Sequence, residues 1–122
     1  MAESPGNVLF DYTSVTVDAI RQGVDAAIVR CDELLDALVA VPSGERTFAN
    51  TVAPLEDVGE ALGDANGRFT FLAYVASEKE LRDTAHEYEE KLDTYSTGLG
   101  FREDVYEALR EFAGGDEAGA LD

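Results

Sequence analysis

The chain reads as an all-α protein, an antiparallel bundle of about four helices over residues 14–113. Three observations predict this. Apolar residues recur at alternating steps of three and four, helix start and stop chemistry punctuates those runs, and no stretch alternates with the period of a strand. At 122 residues and 45% apolar content, the chain has enough core for one domain.

Residues 1–13 read as an irregular N-terminal arm, with Pro5-Gly6-Asn7 as turn chemistry and Val8, Leu9, Phe10 and Tyr12 available to pack on the bundle. Thr16 is a good N-cap, with Asp18 in the first turn against the positive end of the macrodipole. Val17, Ile20, Val24, Ala27, Cys31, Leu34 and Leu38 then form one face of a helix near 16–40. Ile28 and Leu35 widen that face beyond a two-stranded seam, which favours a bundle over a coiled-coil dimer. Pro42-Ser43-Gly44 ends the helix.

A second helix is expected near 47–75, with Phe48, Val52, Leu55, Val58, Leu62, Phe69, Leu72 and Val75 toward one side. Pro54 interrupts it. A proline inside a helix lacks its amide donor and crowds an earlier carbonyl, so either residues 47–53 form a separate turn or the helix kinks. Gly59, Gly63 and Gly67 stack at intervals of four, either allowing a close helix approach or simply tolerated. Ser77-Glu78-Lys79-Glu80 fits a capping box that opens a third helix near 78–98. Its face is Leu81, Ala85, Tyr88, Leu92, Tyr95 and Leu99, and Gly98 and Gly100 supply the stop. A fourth helix is expected near 102–113, with Phe101, Val105, Leu109 and Phe112 as its apolar side. Residues 114–122 read as a flexible or truncated end.

Charge narrows the partners. Twenty-six acidic residues against nine basic ones give a net charge of −17. Such a field repels phosphate backbones and anionic lipid, so neither nucleic acid nor a membrane is an expected partner. The carboxylates are spread along the helices, as a solvated surface requires. There is no apolar run long enough to span a bilayer and no basic, apolar start of the secretory kind, which makes the cytoplasm the expected location. Cys31 is the single cysteine, so neither an intrachain disulfide nor a cysteine-based metal site is available.

Candidate chemistry is sparse. His86, the single histidine, opens His86-Glu87-Tyr88-Glu89-Glu90, which begins like H-E-x-x-H but has Glu90 where the second imidazole belongs. His86 and Glu90 could share a helix face, yet two ligands without a third make a weak metal site, and a solvated helix is the preferred reading. Cys31 lies on an apolar stripe, where burial raises a thiol pKa. Adjacent carboxylates such as Glu89 and Glu90, or Asp32 and Glu33, diverge on a helix. Tyr74, Tyr88, Tyr95 and Tyr106 are expected to cover the core with their rings and leave hydroxyls at the rim. No catalytic, cofactor-binding or metal-binding residue is assigned on these grounds.

Three blocks carry a family resemblance. Arg46-Thr47-Phe48-Ala49-Asn50-Thr51-Val52-Ala53-Pro54-Leu55-Glu56 resembles the T-F-x-N-T-v-x-p-L-e stretch near the N-terminus of the thimet oligopeptidase, oligopeptidase A and dipeptidyl carboxypeptidase family. Ala76-Ser77-Glu78-Lys79-Glu80-Leu81-Arg82 is similar to its v-S-x-d-x-e-l-R. Phe101-Arg102-Glu103-Asp104-Val105-Tyr106-Glu107-Ala108-Leu109 is similar to its m-R-e-d-v-Y-x-a-l. The resemblance implies the N-terminal helical part of a larger, mostly helical zinc metallopeptidase that cleaves short peptides in a deep channel. Zinc would then be held in the full-length protein by a downstream H-E-x-x-H and a later glutamate, none of which matches a position here. The partners implied are the remainder of the peptidase chain and short peptide substrates. The segment alone is expected to bind no cofactor and to be inactive. Thr47, Phe48, Asn50 and Thr51 are expected to cap or turn the chain before Pro54. The alternative is a stand-alone acidic helical bundle that binds a partner without enzymatic activity.

Overall fold

Thr16 sets the first helix in place. A computed structural model of the protein describes residues 15–114. In it the Thr16 hydroxyl accepts the Ala19 amide at 3.0 Å and starts α1, Val17–Ala40. Ile20, Val24, Cys31, Leu35 and Leu38 bury along one side of α1. Leu35 takes the deep position, while Leu34 is half-buried. The helix stops at Val41, which turns to extended backbone, and Gly44 supplies the left-handed residue of the following turn at φ +90°. The expected arm over 1–13 and the expected end beyond Gly114 lie outside the described residues.

The second helical stretch is not uniform. It opens with a wide, π-type turn over Phe48–Val52, where the Ala53 amide reaches back five residues to the Phe48 carbonyl. Helix α2, Ala53–Ala65, follows with Pro54 in its first turn. That is the place where proline's missing amide leaves no helical bond unmade, so the separate turn, and not a kink, is how the chain takes Pro54. A second wide turn covers Asn66–Thr70, with the Phe71 amide on the Asn66 carbonyl at 2.9 Å, and leads into the short α3, Leu72–Val75. The buried Thr70 hydroxyl bonds Asn66 Oδ1. An additional residue in each turn shifts the face presented to the core. The shift leaves Phe48 and Val75, both expected on the apolar face, exposed.

Helix α4, Lys79–Leu99, is capped by Glu78 with no side-chain bond, so the expected Ser77 capping box does not form. Arg82 takes over that end. Its guanidinium bonds the Ala76 carbonyl at 3.1 Å and the Ser77 carbonyl at 2.9 Å, which fixes the turn, and the cap falls at Glu78, one residue after the expected one. Gly100 closes α4 through a bond to the Thr97 carbonyl. Helix α5, Glu103–Ala113, buries Val105, Ala108 and Phe112, whereas Phe101 stands 79% exposed ahead of it and is not part of its apolar face.

The elements pack up, down and up. Ile20 meets Leu72, Val24 meets Ala65, and the Cys31 thiol faces the Val58 carbonyl, so the 48–75 stretch runs antiparallel to α1. Helix α4 returns alongside α1. Lys91 pairs with Asp25 at 2.6 Å, and the Tyr95 hydroxyl donates to Asp32 at 2.6 Å. Burial, then that hydrogen bond to Asp32, pushes the Tyr95 hydroxyl's pKa far above the ordinary phenol range. Phe69, Tyr88 and Leu62 each pack against two buried clusters and join them into one core.

The glycines divide sharply. Side-chain positions at Gly59, Gly63 and Gly67 face open space, so the stripe serves no close helix approach. The close approach is at Gly23, where a Cβ would lie 2.2 Å from Phe69 Cε2. Gly23→Ala is therefore expected to lose about 1–3 kcal/mol of stability by overpacking against that ring. Gly63→Ala is expected to gain up to ~1 kcal/mol from helix propensity. Urea denaturation of both variants checks the pair, and equal effects would contradict the packing.

Candidate functional site

Among the described residues, those with reactive side chains do not converge. His86 stands on the exposed side of α4, with Nδ1 3.4 Å from Glu89 Oε1 and its ring edge-on to Tyr74 at 5.7 Å between centroids. The Tyr74 hydroxyl donates to both Glu89 oxygens at 2.8 Å, and that bond raises its pKa. Glu89, rather than Glu90, is thus the partner of His86. Glu90 borders a different depression, with Ile28, Glu87, Lys91, Thr94 and Tyr95. A smaller hollow, lined by Asn66, Gly67, Thr70, Phe71, Tyr74 and Glu89, lies between the second wide turn and α4.

Among the described residues, no group of three or more histidine, cysteine, aspartate or glutamate side chains is placed to hold a metal ion. His86 and Glu89 offer two donors, fewer than a zinc site requires, so these residues do not fit that metal. Cys31 is fully buried, and its thiol faces the Val58 carbonyl at 3.7 Å. Burial and then Asp32 push its pKa up, which keeps it a thiol. Of the four tyrosines among the described residues, Tyr88 and Tyr95 are half-buried with their rings on the core. Tyr74 and Tyr106 are instead 62% and 57% exposed.

The densest polar cluster lies at the Arg46–Thr51 segment. Thr47 caps the first wide turn by accepting the Asn50 amide at 3.1 Å, and Asn50 Oδ1 accepts the Thr47 amide at 2.8 Å, a reciprocal box. Asn50 Nδ2 also donates to the Glu45 carbonyl at 3.1 Å, and the buried Thr51 hydroxyl donates to Asn50 Oδ1 at 2.8 Å. The expected capping role before Pro54 is what Thr47, Asn50 and Thr51 perform.

Beneath them lies Arg46, whose side chain is 7% exposed. Its Nε bonds Glu111 Oε1 at 2.7 Å, and Nη1 donates to the Leu38 carbonyl at 2.9 Å and to Thr51 Oγ1 at 3.4 Å. Ser43 Oγ donates to the other Glu111 oxygen at 2.9 Å. One guanidinium therefore ties the end of α1, the first wide turn and α5 together. The sequence reading missed this pair, because Arg46 and Glu111 are 65 positions apart and neither has a local partner at helical spacing.

These geometries frame the comparisons. The chain is related to oligopeptidases by modest identity over a short length. It is 34% identical over 93 residues to "Thimet-like oligopeptidase" of Dictyostelium discoideum, covering 76% of this chain and 14% of that protein. It is 27% identical over 110 residues to "Oligopeptidase A" of Escherichia coli (strain K12), covering 90% of this chain and 16% of that protein. The chain thus spans about one-seventh of the length of these curated relatives. No protein-family profile matches the chain. No solved structure matches it.

Asn50→Ala removes the side-chain half of the box, together with the bonds to the Glu45 carbonyl and from the Thr51 hydroxyl, and is expected to cost about 1–2 kcal/mol in thermal or urea unfolding. Glu111 gives a pH-dependent prediction. The Arg46 guanidinium, then Ser43, holds its carboxyl below the ordinary value of 4.5. The unfolded chain therefore binds more protons as pH falls, so the contribution is complete above that value and is lost as pH drops through the folded pKa. The difference in Tm between the native chain and Glu111→Gln should accordingly be constant near neutrality and shrink on acidification below about pH 4.5. A difference that grew on acidification would reverse the assignment.

Proposed function

We propose that this chain is the N-terminal helical part of a zinc-dependent oligopeptidase whose full-length form hydrolyses short peptides, and that the segment is inactive alone. The observation that carries this is the 34% identity over 93 residues to a thimet-like oligopeptidase, supported by the match to oligopeptidase A over 90% of this chain. The residues fit the assignment in kind. The most recognisable block, Thr47 to Thr51, makes capping bonds instead of presenting groups to a substrate. His86 and Glu89 offer too few donors for zinc. Metal binding and water activation accordingly belong to other parts of the longer chain. This segment stiffens one wall of the enzyme, and its partners are the remainder of the peptidase and the peptides that enter it.

The full-length protein tests the proposal. Its hydrolysis of a short fluorogenic peptide should be abolished by a zinc chelator and restored by added zinc. Asn50→Ala in that protein should lower Tm while zinc content stays at the native level. Chelator-insensitive hydrolysis, or zinc lost on substitution of Asn50, would overturn the assignment. The stand-alone interaction protein predicts instead a stop codon directly after Asp122.

A further inference from the structure

The second wide turn opens on a reactive dipeptide, Asn66-Gly67. Of the three asparagines in the chain, Asn7 precedes Val8 and Asn50 precedes Thr51, whereas Asn66 precedes Gly67. A β-branched residue crowds the approach of the preceding side chain to its amide nitrogen, and glycine, with no Cβ, hinders that approach least. If the Gly67 nitrogen attacks Asn66 Cγ, an N–Cγ bond forms, the Cγ–Nδ2 bond breaks, and Nδ2 leaves as ammonia with the proton that the Gly67 amide gives up. The product is a five-membered cyclic imide. Water then opens the imide at either carbonyl, giving aspartate or isoaspartate.

The fold holds this pair in the wrong shape for ring closure. The imide ring sets ψ of its asparagine well outside the helical region, and Asn66 sits at φ −61°, ψ −47°. Its own amide bonds the Leu62 and Gly63 carbonyls, its carbonyl accepts the Phe71 amide at 2.9 Å, and the buried Thr70 hydroxyl bonds its Oδ1. The last contact clamps the reacting side chain itself. We infer that Asn66 is a deamidation site gated by the second wide turn, protected while Thr70 and the helical backbone hold it and converted to aspartate and isoaspartate once the turn opens. The inference stands apart from the functional reading above. The change runs one way. Isoaspartate adds a methylene to the main chain and moves the carbonyl that accepts the Phe71 amide off it, so the turn that leads into α3 cannot re-form as it was. Aspartate adds a charge two residues from Asp64 in a chain already at −17.

Peptide mapping by mass spectrometry tests the gate, on the full-length protein incubated in mildly alkaline buffer with and without urea. In urea Asn66 should lose its amide about tenfold or more faster than Asn50, and in native buffer the Asn66 rate should fall by about tenfold or more, since opening must precede reaction. An Asn66 rate no greater than that of Asn50 in urea overturns the site. Equal Asn66 rates with and without urea overturn the gate. Two variants, each held well below its own Tm, test the clamp. Thr70→Val should raise the native Asn66 rate severalfold, while Thr70→Ser, which keeps the hydroxyl, should leave it unchanged; no acceleration in Thr70→Val, or the same acceleration in both, overturns the role of Thr70. A Cβ at Gly67 would meet nothing within 4 Å, so Gly67→Ala leaves the fold intact. That variant should slow Asn66 severalfold in urea, and an unchanged rate overturns attack by the Gly67 nitrogen. The isoaspartyl fraction, once separated, should melt below the unmodified protein, and coincident melting would contradict the one-way change.

Discussion

The architecture depends on one nearly buried guanidinium. A charge removed from water is costly unless it is paired and hydrogen-bonded, and Arg46 pairs with Glu111 through Nε while Nη1 bonds the Leu38 carbonyl and Thr51. Its partners come from three places: the end of α1, the first wide turn and α5. The C-terminal carbonyls of α1 lack helical donors, and Arg46 supplies one from outside the helix. Helix α5 has 11 residues, too few to be stable alone, and is held by this bond together with the burial of Val105, Ala108 and Phe112. The Thr47–Asn50 box fixes the backbone beside Arg46, so capping and charge pairing act as a unit.

The rest of the electrostatics follows from a surplus of carboxylates. With a net charge of −17 the carboxylates far outnumber their possible basic partners, and four of the nine basic residues, Arg46, Arg82, Lys91 and Arg102, join elements or close turns. Lys91 joins α4 to α1 through Asp25, and Arg102 bonds Asp104 at the start of α5 while lying 3.7 Å from Asp36. Arg82 closes the turn before α4. Exposed pairs within a helix, such as Lys79 with Asp83, contribute little by comparison. Self-repulsion is thereby countered at the junctions between helices, where a broken contact would separate whole elements.

Much of this was legible from the residues. The apolar periodicity gave α1, α4 and α5 to within a residue or two, because each buries one stripe with ordinary helical geometry. The Thr16 cap and the capping role of the Thr47–Thr51 block were also readable, since both rest on bonds spanning three residues. What sequence could not supply was of three kinds. Wide turns at Phe48–Val52 and Asn66–Thr70 alter the helical phase, so a fixed spacing of three and four misplaced Phe48 and Val75. Contacts between distant positions, Arg46 with Glu111 and Gly23 with Phe69, exist only once the helices are assembled. Ser77 shows a third case, in which a correct short pattern lost to Arg82 bonding the same turn. The absence of an assigned catalytic residue reflected the scarcity of histidine and cysteine, and the structure places His86 and Cys31 apart, one exposed on α4 and one buried in α1.

The central claim is that Arg46 holds α5 and the first wide turn to the end of α1. Native-state hydrogen exchange on Arg46→Ala measures this directly, residue by residue. The account predicts that amides of Glu103–Ala113 and Phe48–Val52 lose protection while those in the first half of α1 and in α4 keep it. Protection unchanged in α5, or lost evenly along the whole chain, would contradict it.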